Sequence, residues 1–111
     1  MRQWNINPKL MCSQHLLGEH VEHHMFVGTL NKGKSIKGYI DTGLVEVHNL
    51  RKRHDEIAKE MEKRGFNHNS PLPEFEFAIA GEVNTKENLI ELKKRCKKCR
   101  NIQKKMKGGK R

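Results

Sequence analysis

Three side chains near the N-terminus have the residue types and the spacing of a small reactive site. His15, Glu19 and Glu22 are four and three residues apart, so on a helix they would share one side. A carboxylate held among imidazoles and basic loops is suited to proton transfer or to stabilising a cation. Plain surface charge is the alternative interpretation of the same three residues.

Three more histidines, His20, His23 and His24, crowd the same stretch. They suggest a metal site, but the motif H-E-x-x-H is absent and a third ligand would have to come from elsewhere. The alternative is a solvated helix face that gains charge below about pH 6.5.

A Cys-x-x-Cys pair, Cys96 and Cys99, has the spacing of zinc-binding thiolates. Zinc needs a second ligand pair, and the chain has no other Cys-x-x-Cys. Both cysteines also fall on an apolar helical stripe, where cysteine packs as a small hydrophobe. We therefore expect core positions and no bound metal, with a zinc-bound interaction module as an alternative. Cys12 makes the count odd, which favours reduced thiols.

Residues 28–35 satisfy the phosphate-loop pattern G-x-x-x-x-G-K-S. The context contradicts a nucleotide site, because a histidine-rich helical segment precedes the pattern and Gly38 and Gly43 interrupt the helix that should follow. We interpret the segment as a flexible basic loop whose Lys32 and Lys34 contact phosphates.

The positive charge is concentrated at the C-terminus. The chain has a formal net charge of +10, yet residues 93–111 hold eleven basic residues and no acid, which leaves residues 1–92 at −1. A basic excess of this kind points to a polyanion, and nucleic acid is the expected partner.

The length of 111 residues suits a single domain, which we place at residues 1–107 with a frayed basic tail at 108–111. Charge-free stretches such as residues 10–18 are far shorter than the roughly 20 apolar residues that cross a bilayer. No secretory signal is visible. We expect a cytoplasmic monomer that does not interact with membranes.

The apolar spacing predicts an all-α fold of three helices joined by irregular loops. The first helix begins at Asn7-Pro8 and ends near Gly28, and residues 30–43 form a loop. A second helix begins around Asp41 or Thr42 and ends at Gly65. Residues 67–76 are irregular, and residues 74–79 could form a short strand. The third helix, capped by Thr85, carries a stripe with a 3.5-residue period and continues into the basic tail.

Two segments resemble the bacteriophage pyrimidine-dimer DNA glycosylase and AP lyase family. Residues 14–22, Gln-His-Leu-Leu-Gly-Glu-His-Val-Glu, are similar to its N-terminal signature Gln-His-Leu-x-x-Glu-x-Arg-Glu. Residues 50–66 are similar to its second helix, including a Leu-Arg-Lys-Arg opening and a Lys-Arg-Gly-Phe close. The resemblance implies a compact three-helix protein that acts on lesions or abasic sites in double-stranded DNA.

The resemblance also implies a reaction in which the N-terminal amine attacks C1′ of the damaged nucleotide, and a helix glutamate assists. Met1 and Glu22 are the catalytic residues implied, and the bulky Arg2 should prevent removal of Met1. An α-amine has a pKa near 8, against about 10.4 for lysine, so more of it is nucleophilic at neutral pH. No cofactor or metal is required. The residues expected to contact DNA are Arg2, Gln14, His15, His20, Lys32, Lys34, Arg51, Arg53, Lys93 and Lys94.

Two positions depart from the family pattern. Val21 and Met25 stand where the family has arginines that hold the DNA around the lesion, and neighbouring histidines could replace them in part. The sequence thus predicts a DNA glycosylase with AP lyase activity. The alternative is a non-catalytic DNA-binding module of the same fold.

Overall fold

The computed structural model describes residues 1–68 and 70–109. No strand occurs in this part of the chain, and residues 74–79 are irregular, so the all-α prediction is confirmed. Single turns of 3-10 helix at Pro8–Leu10 and Val47–Asn49 precede the first and third helices. The α-helices are α1 (Ser13–Asn31), α2 (Lys37–Asp41), α3 (Leu50–Lys63), α4 (Thr85–Arg95) and α5 (Lys97–Gly109).

The first two predicted helices are present with shifted boundaries. The Asn7 side chain accepts a hydrogen bond from the Lys9 N–H, as a cap does, but it caps the separate 3-10 turn, and α1 begins at Ser13. The short helix α2 lies inside the predicted loop. The second predicted helix corresponds to α3 and begins only at Leu50, because Gly43 has a φ of 73° and the chain is extended at Glu46. Gly65 ends that helix as predicted, with a φ of 86°.

The predicted third helix is divided in two at Cys96. This residue has extended dihedrals (φ −131°, ψ 113°), although its N–H still donates to the Leu92 carbonyl oxygen at 2.9 Å. No glycine or proline marks the break, so apolar spacing alone suggested one helix. The backbone is helical through Gly109, while Lys110 and Arg111 of the predicted tail lie outside the described residues.

Helices α1 and α3 pack against each other, and apolar residues form two clusters around them. The first cluster joins the N-terminal segment to the C-terminal helices and contains Trp4, Ile6, Met11, Cys12, Leu16, Ile57, Met61, Leu92 and Cys99. The second lies toward α2 and the long loops and contains Phe26, Val27, Ile36, Val45, Val47, Leu50 and Leu72. None of the described helices combines the length and the apolar character needed to cross a membrane.

The loop before α4 is held against residues 45–47 by hydrogen bonds. The Val47 N–H donates to the Ala80 carbonyl oxygen at 2.9 Å, and the Val83 N–H donates to Glu46 Oε2 at 2.7 Å. Gly81 lies between these contacts with a φ of 87°, and a Cβ there would stand 2.1 Å from the Val45 carbonyl oxygen. Only glycine fits this approach of two backbones.

We expect Gly81→Ala to lower the free energy of unfolding by more than about 2 kcal/mol, because the new methyl group must displace backbone rather than a flexible side chain. Gly28→Ala is the matched control, since a Cβ at this helical position meets nothing within 4 Å. The control should gain up to about 1 kcal/mol from helix propensity. Urea unfolding of both variants measures the difference, and equal midpoints would contradict the expectation.

Candidate functional site

The N-terminal amine lies beside the carboxylate that the sequence singled out. The amine nitrogen of Met1 is 3.8 Å from Glu22 Oε1, and the backbone N–H of Arg2 donates to the same oxygen at 2.9 Å. Both side chains are partly accessible, Met1 at 14% and Glu22 at 28%. The structure therefore brings the two predicted catalytic residues together at an accessible place, with the carboxylate held by a backbone donor.

The segment behind the amine is fixed by elements from across the chain. Gln3 is fully buried; its N–H donates to the Leu44 carbonyl oxygen at 2.7 Å, and its Oε1 accepts from the Glu46 N–H at 2.6 Å. Asn88 of α4 donates from Nδ2 to the Trp4 carbonyl oxygen at 2.9 Å. These bonds give the amine a defined position, which a reaction at a single attacking atom requires.

Two arginines stack on the one tryptophan next to this amine. The guanidinium carbon of Arg2 is 4.6 Å from the centroid of the Trp4 ring, and that of Arg95, at the end of α4, is 5.5 Å away. Burial lowers the pKa of Arg2, and the charge of Arg95 lowers it further. Arg95 therefore belongs to the site, although α4 is far from Met1 in sequence.

The ring of His15 also lies beside Trp4 and is nearly perpendicular to it, with ring centroids 6.1 Å apart. Burial lowers the pKa of His15, the charge of Arg95 adds to this, and Glu22 opposes it. His15 was predicted as a DNA contact, but its Nδ1 points at sulfur, 3.3 Å from Cys12 Sγ and 3.8 Å from Cys99 Sγ.

The buried pair of Glu19 and Arg53 corrects one predicted DNA contact. Arg53 is 1% exposed, and it donates to Glu19 from Nε at 2.7 Å and from Nη2 at 2.9 Å. The same guanidinium also donates to the Ile6 carbonyl oxygen and to Met11 Sδ. Arg53 is thus a structural link between α1, α3 and the N-terminal segment and is not available to phosphates.

Two of the four histidines of α1 are buried rather than solvated. His23 is fully buried and His20 is 8% exposed, in contact with His24, His54 and His68. His20 Nε2 and His68 Nε2 are 2.9 Å apart, a hydrogen-bond distance. This burial contradicts the solvated-face interpretation for His20 and His23, and it leaves His20 little surface for the DNA contact that we expected.

Burial, reinforced by neighbouring histidines, lowers the pKa of His20 to about 4, and burial lowers that of His23 to about 4. In the unfolded chain these groups take up a proton near pH 6.5. Between pH 6.5 and 4 the unfolded state thus binds more protons, so the free energy of unfolding is greatest above pH 6.5 and falls as the pH decreases toward 4. Urea unfolding at pH 7, 6 and 5 tests this, and His20→Phe should reduce the slope.

The other predicted DNA contacts lie at the surface. Gln14, Lys32, Lys34 and Lys94 are exposed, and Lys93 is half-buried at the end of α4. Arg51 is 42% exposed but is engaged, because its Nη1 and Nη2 donate to the carbonyl oxygens of Leu72 at 3.2 Å and Pro73 at 2.9 Å. Arg2 and Arg95 thus lie at the site around the Met1 amine, whereas Arg51 binds the loop that contains Leu72 and Pro73.

Among the residues that the structure describes, two groups of side chains could hold a metal ion. The first is Cys12, His15, Cys96 and Cys99, and the second is His20, His54 and His68; within each group the ligand atoms lie within 4.8 Å of one another. From the sequence we singled out only Cys96 and Cys99 of the first group, although Cys12-x-x-His15 supplies the second ligand pair that a Cys-x-x-Cys site needs. We had also missed Arg95, although it follows Lys93 and Lys94 in the same basic run.

Comparison with known protein families identifies a match over the N-terminal part of the chain. A family model described as "Pyrimidine dimer DNA glycosylase" matches residues 1–74, which include both α1 and α3. No curated protein and no solved structure matches the chain. The match covers Met1, Arg2 and Glu22, whereas Arg95 and the two C-terminal cysteines lie outside it.

Proposed function

The chain belongs to the pyrimidine dimer DNA glycosylase family, and from this premise we propose that it is a DNA glycosylase with AP lyase activity on damaged duplex DNA. Met1 would supply the nucleophilic amine, and Glu22 the assisting carboxylate. The reaction would need no metal or cofactor at the reacting atoms.

The observation that carries this proposal is the distance of 3.8 Å between the Met1 amine and Glu22 Oε1. A nucleophile and an acid–base group must lie within reach of one sugar for such a reaction, and contacts of this length often tighten when substrate binds. The Arg2 N–H, which donates to the same oxygen at 2.9 Å, would keep the carboxylate oriented toward the amine.

The proposed reaction releases the base, forms a covalent iminium ion and then cuts the strand. The neutral amine attacks C1′, the bond from C1′ to the base breaks, and the base leaves with the electron pair and takes up a proton. Opening of the sugar ring gives an iminium ion between the amine nitrogen and C1′. Loss of a proton from C2′ then expels the 3′ phosphate by breaking the C3′–O bond, and water hydrolyses the imine. Glu22 would stabilise the cation and relay protons in these steps.

DNA would approach the surface that carries the amine. Arg2 and Arg95 present positive charge beside Trp4, and exposed Lys94 adds a further charge near the end of α4. The dipole of a helix favours cations at its C-terminus, so these basic groups also suit their position. Extrusion of the target nucleotide would cost a few kcal/mol, which phosphate contacts can offset.

Arg95→Ala should weaken DNA binding about equally on all sequences and reduce the slope of log affinity against log salt by about 1, because one phosphate contact is lost. Lys59→Ala, at an exposed position of α3, is the control and should leave both quantities near those of the wild type. Binding to an abasic duplex by fluorescence anisotropy at several salt concentrations measures both. An unchanged slope for Arg95→Ala would remove this residue from the proposed interface.

The central experiment is borohydride trapping. Protein whose intact mass shows a free Met1 amine is incubated with an abasic duplex and sodium borohydride, and we expect a covalent protein–DNA adduct at the N-terminal peptide. A Gly-Ser extension before Met1 moves the amine away from Glu22 and should abolish the adduct. Absence of an adduct with the unextended protein would refute the lyase activity.

The exposed surface beside Glu22 favours the second candidate, a DNA-binding module without catalysis. Val21 and Met25 are 55% and 50% exposed, so the two positions where the family has arginines present apolar surface. A module of this kind would bind duplex DNA with the same salt dependence yet give neither trapping nor cleavage. The same trapping experiment therefore separates the two functions.

A further inference from the structure

Four metal-binding side chains meet where the N-terminal segment contacts the C-terminal helices. Cys12 precedes α1, His15 lies in its first turn, Cys96 separates α4 from α5, and Cys99 lies in the first turn of α5. The pairs Cys12–Cys96 and His15–Cys99 are each separated by 84 residues in sequence. The four ligand atoms all lie within 4.8 Å of one another.

The distances between these atoms match a tetrahedral zinc site. Cys12 Sγ is 3.9 Å from Cys96 Sγ and 3.3 Å from His15 Nδ1, and Cys99 Sγ is 3.8 Å from His15 Nδ1. Zinc bonds of about 2.3 Å to sulfur and 2.0–2.1 Å to nitrogen put two tetrahedral sulfurs about 3.8 Å apart and a sulfur and a nitrogen about 3.6 Å apart. A disulfide would require sulfurs about 2.05 Å apart.

Backbone N–H groups donate hydrogen bonds to two of the cysteine sulfurs. The Cys12 N–H donates to Cys99 Sγ at 3.2 Å, and the Cys99 N–H donates to Cys96 Sγ at 3.5 Å. Hydrogen bonds of this kind are stronger to an ionised sulfur than to a thiol. Three thiolates and one Zn²⁺ would carry a net charge of −1, in a chain whose residues 93–111 hold only basic charges.

We propose that Cys12, His15, Cys96 and Cys99 bind one structural zinc ion. All four ligands come from the protein, and such closed sites serve structure rather than catalysis. The ion would clip α4 and α5 onto the start of α1, and because Arg95 directly precedes Cys96, it would also hold this arginine beside Trp4. The extended break in the helix at Cys96 has a reason in this arrangement, since it turns the Cys96 sulfur toward the other ligands.

The test measures zinc in the untagged full-length protein, purified under reducing conditions, by elemental analysis. We expect about one zinc per chain, lost in Cys99→Ser. Two controls should keep it: Lys97→Ser, between the two cysteines, and His68→Ala, in the histidine cluster. Wild-type protein that lacks zinc, or that carries a disulfide between Cys12 and Cys96 by mass, overturns the proposal. The proposal is also overturned if His68→Ala loses the zinc while Cys99→Ser keeps it.

A second variant covers the case in which Cys99→Ser fails to fold. His15→Cys supplies a fourth thiolate and should retain one zinc. After exchange with cobalt, its thiolate-to-metal absorption should exceed that of the wild type by about a third, because four thiolates replace three. Equal absorption would place His15 outside the site and overturn the proposed ligand set. These readouts use no DNA, so they are independent of the proposed function.

Discussion

We expect Glu22→Gln to slow strand cleavage at an abasic site by about 10²–10⁴-fold in single-turnover reactions, the range typical for loss of one acid–base group. Glutamine can still accept the hydrogen bond that the Arg2 N–H makes to Oε1, so the shape of the site should be kept. The lost features are the negative charge 3.8 Å from the amine and the ability to take up a proton.

The matched control is Glu62→Gln, which removes an exposed carboxylate from α3 and should leave the cleavage rate unchanged. The affinity of Glu22→Gln for abasic duplex should stay within a few fold of the wild type or rise slightly, because the substitution removes a negative charge that repels phosphate. If Glu22→Gln cleaves as fast as Glu62→Gln, the carboxylate beside the amine has no part in the reaction.

Arg53→Met should lower the free energy of unfolding by about 3–5 kcal/mol, a large share of the 5–15 kcal/mol typical of a domain. Methionine fills much of the volume, but Glu19 then keeps a fully buried carboxylate without its guanidinium. Burial alone raises the pKa of Glu19, and the guanidinium and the backbone N–H groups of Trp4 and Asn5 oppose this. Urea unfolding gives the difference from the midpoint and the slope.

Two controls distinguish the stability cost of breaking this buried ion pair from the cost of removing any arginine from α3. Arg51→Met removes a half-exposed guanidinium of the same helix and should cost no more than about 1.5 kcal/mol. The double variant Glu19→Gln/Arg53→Met removes both charges and should be more stable than Arg53→Met alone. A cost for Arg53→Met no larger than that for Arg51→Met would show that the pair is not a main source of stability.

The fold class followed from the sequence because apolar spacing and caps are local. Gly65 ends α3 through its own backbone freedom, and that boundary was predicted correctly. The break at Cys96 was not predicted, since neither a glycine nor a proline marks it and the apolar period continues across it. It depends on packing of Cys96 against residues far away in sequence, which periodicity does not report.

Residues of the candidate site could be recognised from the sequence where they lie in one segment. They could not be recognised where the site is assembled from segments that are far apart in sequence. Arg51, Lys52 and Arg53 are chemically alike in sequence, and only the structure shows that Arg53 is buried against Glu19. Cys12 and His15 are a recognisable ligand pair only when they stand beside Cys96 and Cys99. A search for any Cys-x-x-His together with the Cys-x-x-Cys pair would have found the group.

The stacking of Arg2 and Arg95 on Trp4 gives the protein an optical probe of its own. Trp4 is the only tryptophan in the chain, and it is 4% exposed. Its fluorescence therefore comes entirely from the neighbourhood of the Met1 amine, without any label. A change in emission on adding DNA would report movement of the two guanidinium groups, and stopped-flow recording could time that movement relative to adduct formation.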